Sequence, residues 1–472
     1  MVAQTATPDA QRRLPLANVL AFATTSMPMS ALVISVGVFL PQYYATYFGI
    51  SLIAVGSIFS TVRVLDLGVD FALGMGMDRT RTPLGRYRPW LILGAPILMG
   101  AVYMLFLTRL TGQTSLIAWL LVMYLGTSII SLAHTAWAST LARAYDERSR
   151  LFAAMTAVGV IGSVMVLLTP PILARFGHMT GGADVHAVGW MIIAMTPVAI
   201  ALVVLRTPER VTPQASGLHF QWSDYWGLIA RPSMLRILVV DFCLGMGPGW
   251  MAALYFWFFQ QSLEFSRASA SLLLLIYIAA GLVGAPLMGR LAVRISKHRA
   301  TMVATTAYSL ILIAVVFIPH GNFVAAILPM FFAGFTAAGF NVLTRAMTAD
   351  IADEVRLEQG KERTALVFAL TTLTTKLAGA LAISASFFAL SEVGFVASEG
   401  ARNTAASIQG LNLVYIIGPI FFVMAAGLAL IGYRLNATRH GEIREALEAR
   451  DALYDEAPVV ETLSGPGSVA AE

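Results

Sequence analysis

Hydrophobic positions along the chain fall into twelve long blocks, at about 16–47, 51–77, 90–108, 115–142, 152–174, 186–205, 235–262, 267–293, 301–319, 322–348, 365–391 and 410–433, parted by polar or turn-rich stretches. Several exceed the roughly 20 residues a helix needs to cross a bilayer. The pattern predicts an all-α membrane protein with twelve transmembrane helices. Arg12 and Arg13 precede the first block as basic residues precede a signal peptide. That block is too long for a cleavable apolar core and has no small-residue cleavage site, so it reads as the first spanning helix.

Charge tests the count. With both termini on one face, the loops of that face carry Arg79, Arg81, Arg86 and Arg88, then Arg143, Arg148 and Arg150, then Arg206, Arg210, Arg231 and Arg236. They continue with Arg290, Arg294, Lys297 and Arg299, and finally Arg345, Arg356, Lys361 and Arg363. The opposite loops hold Arg109, Arg175, Arg267 and Arg402. This asymmetry places both termini in the cytoplasm, and an odd helix count would scramble it. The halves echo each other: a Gly-rich helix end and basic loop at 74–88 returns at 289–299, and the charged loop 143–150 has a counterpart at 345–363. Two six-helix bundles follow, residues 1–205 and 235–434, with a cytoplasmic linker at 206–234 and a tail at 435–472. Paired bundles of this kind carry a central site near the membrane midplane. In the tail, 442–454 reads as a short amphipathic helix and the acidic, Gly/Pro/Ala-rich remainder as disordered.

Composition agrees: 57% of residues are hydrophobic, 12% are charged and mean hydropathy is +0.74. The net charge of +5 is spread over membrane-flanking loops rather than gathered in a nucleic-acid-binding patch. The single cysteine, Cys243, excludes an internal disulfide framework. No nucleophile elbow, metal-ligand spacing or P-loop is present, which argues against an enzyme and against direct ATP drive.

Charges inside apolar blocks are the informative ones, because each costs several kcal/mol unless paired or hydrated. Arg63, Asp66 and Asp70 share one face of the second helix. Two adjacent carboxylates repel, so each favours a proton, a metal ion or a cationic partner, and the pair suits Na⁺, Li⁺ or H⁺. The bland reading is an Arg63–Asp staple. Lys376 lies at depth in the eleventh block, within Thr371-Thr-Leu-Thr-Thr-Lys376, with Asp66 and Asp70 as its natural partners. Asp241 in the seventh block is either a proton or charge site or a structural partner of Arg236 or Arg290. His134 and Trp137 mark the fourth.

The run Asp66-Leu-Gly-Val-Asp70, followed by Asp78-Arg-Thr-Arg-Thr-Pro-Leu-Gly-Arg-Tyr-Arg-Pro-Trp90, resembles the signature of the melibiose-permease-like glycoside–pentoside–hexuronide:cation symporters of the major facilitator superfamily. So does Met347-Thr-Ala-Asp350-Ile-Ala-Asp353-Glu, with Gly360, Arg363 and Lys376; the likeness spans about 45–390. It implies the major facilitator fold and cation binding by Asp66 and Asp70, aided by Thr372, with Arg63 and Lys376 as charge partners. It implies sugar stacking on Trp137, whose aromatic plane suits C–H faces, and a central cavity that takes in His134 and Ser30. The chain departs from the pattern where sugar-gripping acids and an arginine would stand: Ser30, Ala133 and Met155 occupy those places, and Val69 replaces an amide cation ligand. Asp78, Arg81, Arg86 and Arg88, with Asp350, Asp353 and Arg363, are expected to form cytoplasmic gate contacts. The expected protein is a monomeric Na⁺- or H⁺-coupled symporter of the bacterial inner membrane, without cofactor. Its solute is expected to be a sugar, glycoside or uronate; the alternative is an organic acid or an amphipathic, lipid-like molecule.

Overall fold

The computed structural model describes residues 14–80, 82–110, 112–141, 145–177, 182–209, 227–359 and 363–455. Twelve helices among them are long and apolar enough to cross a membrane. In the first half they are α1 (Leu16–Tyr47), α2 (Leu52–Arg79), α3 (Arg88–Leu107), α4 (Gln113–Leu141), α5 (Tyr145–Arg175) and α6 (Ala183–Arg206). In the second they are α7 (Pro232–Ser262), α8 (Arg267–Ile295), α9 (Lys297–Val316), α10 (Phe323–Gln359), α11 (Thr364–Glu392) and α12 (Ala405–Ala429). A further helix, α13 (Ala437–Asp455), lies against α10. Hydroxyl caps begin several helices: Ser51, Ser266 and Thr404 accept the backbone N–H three residues on. α1 carries Pro28 in its interior and a π-helical turn at Ser35–Phe39.

Helix ends differ from the apolar blocks where charge begins. α10 runs on to Gln359, so Arg345, Asp350 and Asp353 lie on a helix and not in a loop. Met347, Ile351 and Val355 recur at four-residue spacing and are all buried. The segment is therefore an amphipathic continuation of the span, which an average over hydropathy cuts short. α13 likewise begins five residues before the amphipathic stretch read from the sequence and buries Ile443 and Leu447. Most of the linker, 210–226, lies outside the described residues, as do Arg81, Lys361 and the tail from 456.

The packing repeats. In the first half α1 packs on α5 and α6, α2 on α4, and α3 on α4 and α6; in the second α7 packs on α11 and α12, α8 on α10, and α9 on α10 and α12. Each pairing recurs six helices later. Between the halves α2 meets α11, α5 meets α8 and α1 meets α7, a set that maps onto itself when the halves are exchanged. Glycines set the closest approaches, since a Cβ on Gly162 of α5 would overlap the Met27 carbonyl of α1, and one on Gly334 of α10 the Tyr277 carbonyl of α8.

The halves are tied at the face opposite α13. Arg267 of α8 donates to Asp184 of α6 at 2.5 Å and to Gln42 of α1 at 3.1 Å, and its guanidinium stands 4.4 Å from the centre of the Phe256 ring of α7. The pair is nearly dry, with side chains 13% and 4% exposed. Ser271 bonds the Leu167 carbonyl at 2.5 Å, and the Glu399 N–H bonds that of Thr46 at 3.0 Å. On the face of α13, by contrast, Lys297–Asp350, His440–Asp353 and Arg231–Glu358 each join elements of the second half. Removing one partner of a buried pair costs about 3–5 kcal/mol, because the other charge stays buried. Arg267→Gln should therefore open this seal. In a Cys243→Ser background, a Thr46→Cys probe should react with an impermeant maleimide roughly 100-fold faster; an unchanged rate would show that the pair does not hold the face shut.

Candidate functional site

The helical spacing of Arg63, Asp66 and Asp70 turns all three toward α4 and α11. Asp66 is 1% exposed; its Oδ2 accepts from Arg63 Nη1 at 3.1 Å and its Oδ1 from Ser128 Oγ of α4 at 2.9 Å. Lys376, reaching across from α11, bonds Asp70 and stands 3.8 Å from Asp66 Oδ2. The Arg63 guanidinium lies 4.8 Å from the centre of the Tyr124 ring, which spreads its charge on a π face. Two cations thus balance two carboxylates at the contact between the halves. One atom is left over: Asp70 Oδ1 is buried and has no hydrogen-bond partner among the described residues. A bare buried carboxylate oxygen is costly in a span, and a proton or a hard cation is what satisfies it. Thr372 is one turn before Lys376, but its hydroxyl donates to the Phe368 carbonyl at 2.9 Å.

Asp241 pairs with neither Arg236 nor Arg290. Its Oδ2 accepts from both Thr374 and Thr375 hydroxyls of α11 at 2.7 Å, while Arg236 donates to the Ile431 and Gly432 carbonyls. Arg236 sits one turn nearer the helix end and reaches the carbonyls that close α12. Arg345 of α10 is a charge in the neighbourhood of Asp241, without an ion pair between them.

A cavity of about 320 Å³ opens in the first half, lined by Ser26, Met29 and Ser30 of α1, Ser131, His134 and Thr135 of α4, and Phe152, Met155 and Thr156 of α5. His134 Nε2 donates to the Phe22 carbonyl at 2.9 Å, and its ring stacks on Phe22 at 4.4 Å. Trp137, the ring that the resemblance assigns to sugar stacking, lies in a buried position on α4, one of the helices that line this cavity, and its indole N–H has no hydrogen-bond partner among the described residues. It is fully buried, edge-on to Phe22 at 5.5 Å, with the Arg88 guanidinium 5.7 Å from its ring, and it does not line this cavity.

The charges expected at the cytoplasmic gate fall into two clusters. Glu209 accepts from the backbone N–H groups of Arg86, Tyr87 and Arg88, while Arg86 Nε bonds the Met77 carbonyl and Arg88 Nη2 that of Thr207. In the second half Asp350 is 2.5 Å from Lys297 and 3.2 Å from His440, which is 3.1 Å from Asp353. Arg363 stands at the head of α11, where its carbonyl accepts from the Leu366 and Val367 N–H groups. Asp78 is in the last turn of α2, and Arg81 lies outside the described residues. Glu209, His440 and Ser128 were not found from the sequence. For Ser128 a signal existed in the polar stripe Ser128, Ser131, Thr135 down one side of α4.

A family model described as MFS/sugar transport protein matches residues 21–437. The chain belongs to this family. Its relatives include the uncharacterized symporter YnaJ of Bacillus subtilis (strain 168), 23% identical, the match covering 94% of this chain and 97% of that one. The isoprimeverose transporter of Lactiplantibacillus pentosus is 24% identical over 85% of each chain. Among solved structures the nucleoside transporter NupG superposes with a TM-score of 0.65 at 12% identity, covering 89% of this chain and all of the other. That likeness shows the fold alone. The protein is a symporter-like major facilitator member rather than an enzyme.

In this arrangement Trp137 is fully buried, which predicts a packing contribution. Trp137→Phe should leave solute KM within about threefold, whereas Trp137→Ala should lower the unfolding midpoint sharply, as a truncation costing about 3–5 kcal/mol. Thermal unfolding in detergent and uptake in proteoliposomes check both arms, and a KM raised strongly by the phenylalanine would restore the stacking role.

Proposed function

We propose that the chain is a cation-coupled secondary symporter, driven by Na⁺ or H⁺, that moves a sugar, glycoside or uronate by alternating access. It works as a monomer in a bacterial inner membrane with α13 and both termini in the cytoplasm. The observation that carries the reading is the ion set Asp66–Asp70–Lys376, shared between the halves, with one carboxylate oxygen left bare. When a cation takes Asp70 and Asp66, the ammonium becomes surplus charge and the tie between α2 and α11 is released. Solute binds beside α4, at Ser30, His134 and their neighbours in the cavity. The halves then rock about the central site. Coupling is reciprocal: whatever the cation adds to solute affinity, the solute adds to cation affinity. A proton needs only one oxygen, which Asp70 Oδ1 already offers; Na⁺ needs several and with Val69 in place lacks an amide ligand.

The reading is tested in proteoliposomes under an imposed Na⁺ or proton gradient. Asp70→Asn should reduce gradient-driven accumulation by about 100-fold, the upper range of a coupling free energy, while solute exchange without a gradient persists. Accumulation that survives both the substitution and the collapse of both gradients would refute coupling at this site. Uptake of a lysophospholipid in place of any glycoside would move the solute assignment to an amphipathic one, for which Met29, Phe152 and Met155 supply apolar wall.

A further inference from the structure

Three basic side chains lie deep in the spans beside carboxylates. Arg63 and Lys376 are spent on Asp66 and Asp70. Arg345 is not: among the described residues its guanidinium makes no hydrogen bond or ion pair, although it is exposed and sits five residues inward of Asp350, about 7.5 Å along the helix. An arginine at that depth must face water or an anion. α10 flanks α7 and α11, and Arg345 is close enough to Asp241 for their charges to act on each other. Asp241 does not close on it, because its carboxylate is drawn to the hydroxyls of Thr374 and Thr375. Thr375 is itself exposed and adjoins Lys376, whose ammonium reaches into the gap between the halves. The result is an open, permanently charged fork on the second half, with a compensating carboxylate held at a distance.

We propose that Arg345 is a specificity-determining residue that selects a solute bearing a carboxylate. The planar guanidinium matches a carboxylate through two parallel hydrogen bonds. The cavity of the first half offers hydroxyls and thioethers from Ser30, Met29 and Met155, and its lining holds no lysine or arginine to compete for the acid. Charge balance points the same way. Arg63, Lys376 and Arg345 against Asp66, Asp70 and Asp241 sum to zero, and one cation entering with one monoanion leaves the sum at zero. A loaded carrier then crosses its occluded state with no uncompensated charge, which would otherwise be expensive in a low dielectric. A neutral solute would carry the coupling charge across alone.

This inference rests on the symport reading above, and the experiment separates the two. Proteoliposomes holding the full chain are given an inward cation gradient and one of two probes, methyl β-D-glucuronide or methyl β-D-glucoside, which differ at one carbon. The wild type should favour the glucuronide in kcat/KM by about 100-fold, the worth of a charged hydrogen-bond pair, and an imposed membrane potential should not accelerate it. Arg345→Gln should erase that preference while leaving glucoside exchange within about threefold; Arg345→Lys should restore part of it. Equal handling of the two probes by the wild type, failure of the glucuronide to bind, or an equal loss for both probes in Arg345→Gln and Arg345→Lys would overturn the proposal. If instead Asp70→Asn leaves uptake gradient-driven, the coupling reading fails, and the glucuronide preference is still measured in exchange.

Discussion

Everything in the centre of the molecule answers to one constraint: charges in a membrane must be balanced where they stand. Asp66 and Asp70 on one half cannot be satisfied by that half alone, since Arg63 and Ser128 saturate only Asp66. The remaining demand is met by Lys376 from the other half. The electrostatic need of the ion site is therefore also a mechanical tie between the halves. Under the proposed symport, a cation that relieved the need would loosen the tie, which would give coupling its physical content. No signal would have to travel, because site and tie are the same atoms.

The remaining contacts divide the work by face. The self-mapping interface of α2 with α11, α5 with α8 and α1 with α7 lets the halves tilt without repacking either bundle, whose internal pairings repeat. On the face away from α13, Arg267, Asp184 and Gln42 lock three helices from both halves. On the face of α13 Asp350 and Asp353 bond Lys297 and His440 of the second half, and Glu209 at the start of the linker bonds the backbone N–H groups of Arg86 and Arg88 in the first. Such an arrangement ties the halves together at the face of Arg267, where the cross-half bonds described above are made.

What the sequence disclosed follows from what an isolated helix reveals. Asp66, Asp70 and Lys376 were visible because a charge in an apolar run stands out against its neighbours, whatever the tertiary fold. The twelve spans were visible for the same reason. Partner identity was not: Asp184 with Arg267, Asp241 with Thr374 and Thr375, and His440 with Asp353 are made by helices distant in the chain. Charge density rises from Arg345 onward and reads as a loop, while the backbone hydrogen bonds of α10 continue to Gln359. Resemblance alone points to Trp137 as a sugar-stacking ring; it fixes the helix position of the ring, while the burial of that ring beside Phe22 is set by tertiary packing.

These departures belong together. The first half lacks the acids and the arginine that grip a sugar in the family pattern, with Ser30, Ala133 and Met155 in their places, and the tryptophan is packed away. A cavity walled by hydroxyls, thioethers and one histidine offers shape and weak hydrogen bonds but little that discriminates a charged solute. The charge has not vanished from the molecule. It stands on the second half as Arg345 and Asp241, beside the same threonine-rich stretch of α11 that presents Lys376 to the cation site. Under the two proposals above, solute recognition and cation recognition would converge on one helix, α11, and a shift of that helix would register both ligands at once.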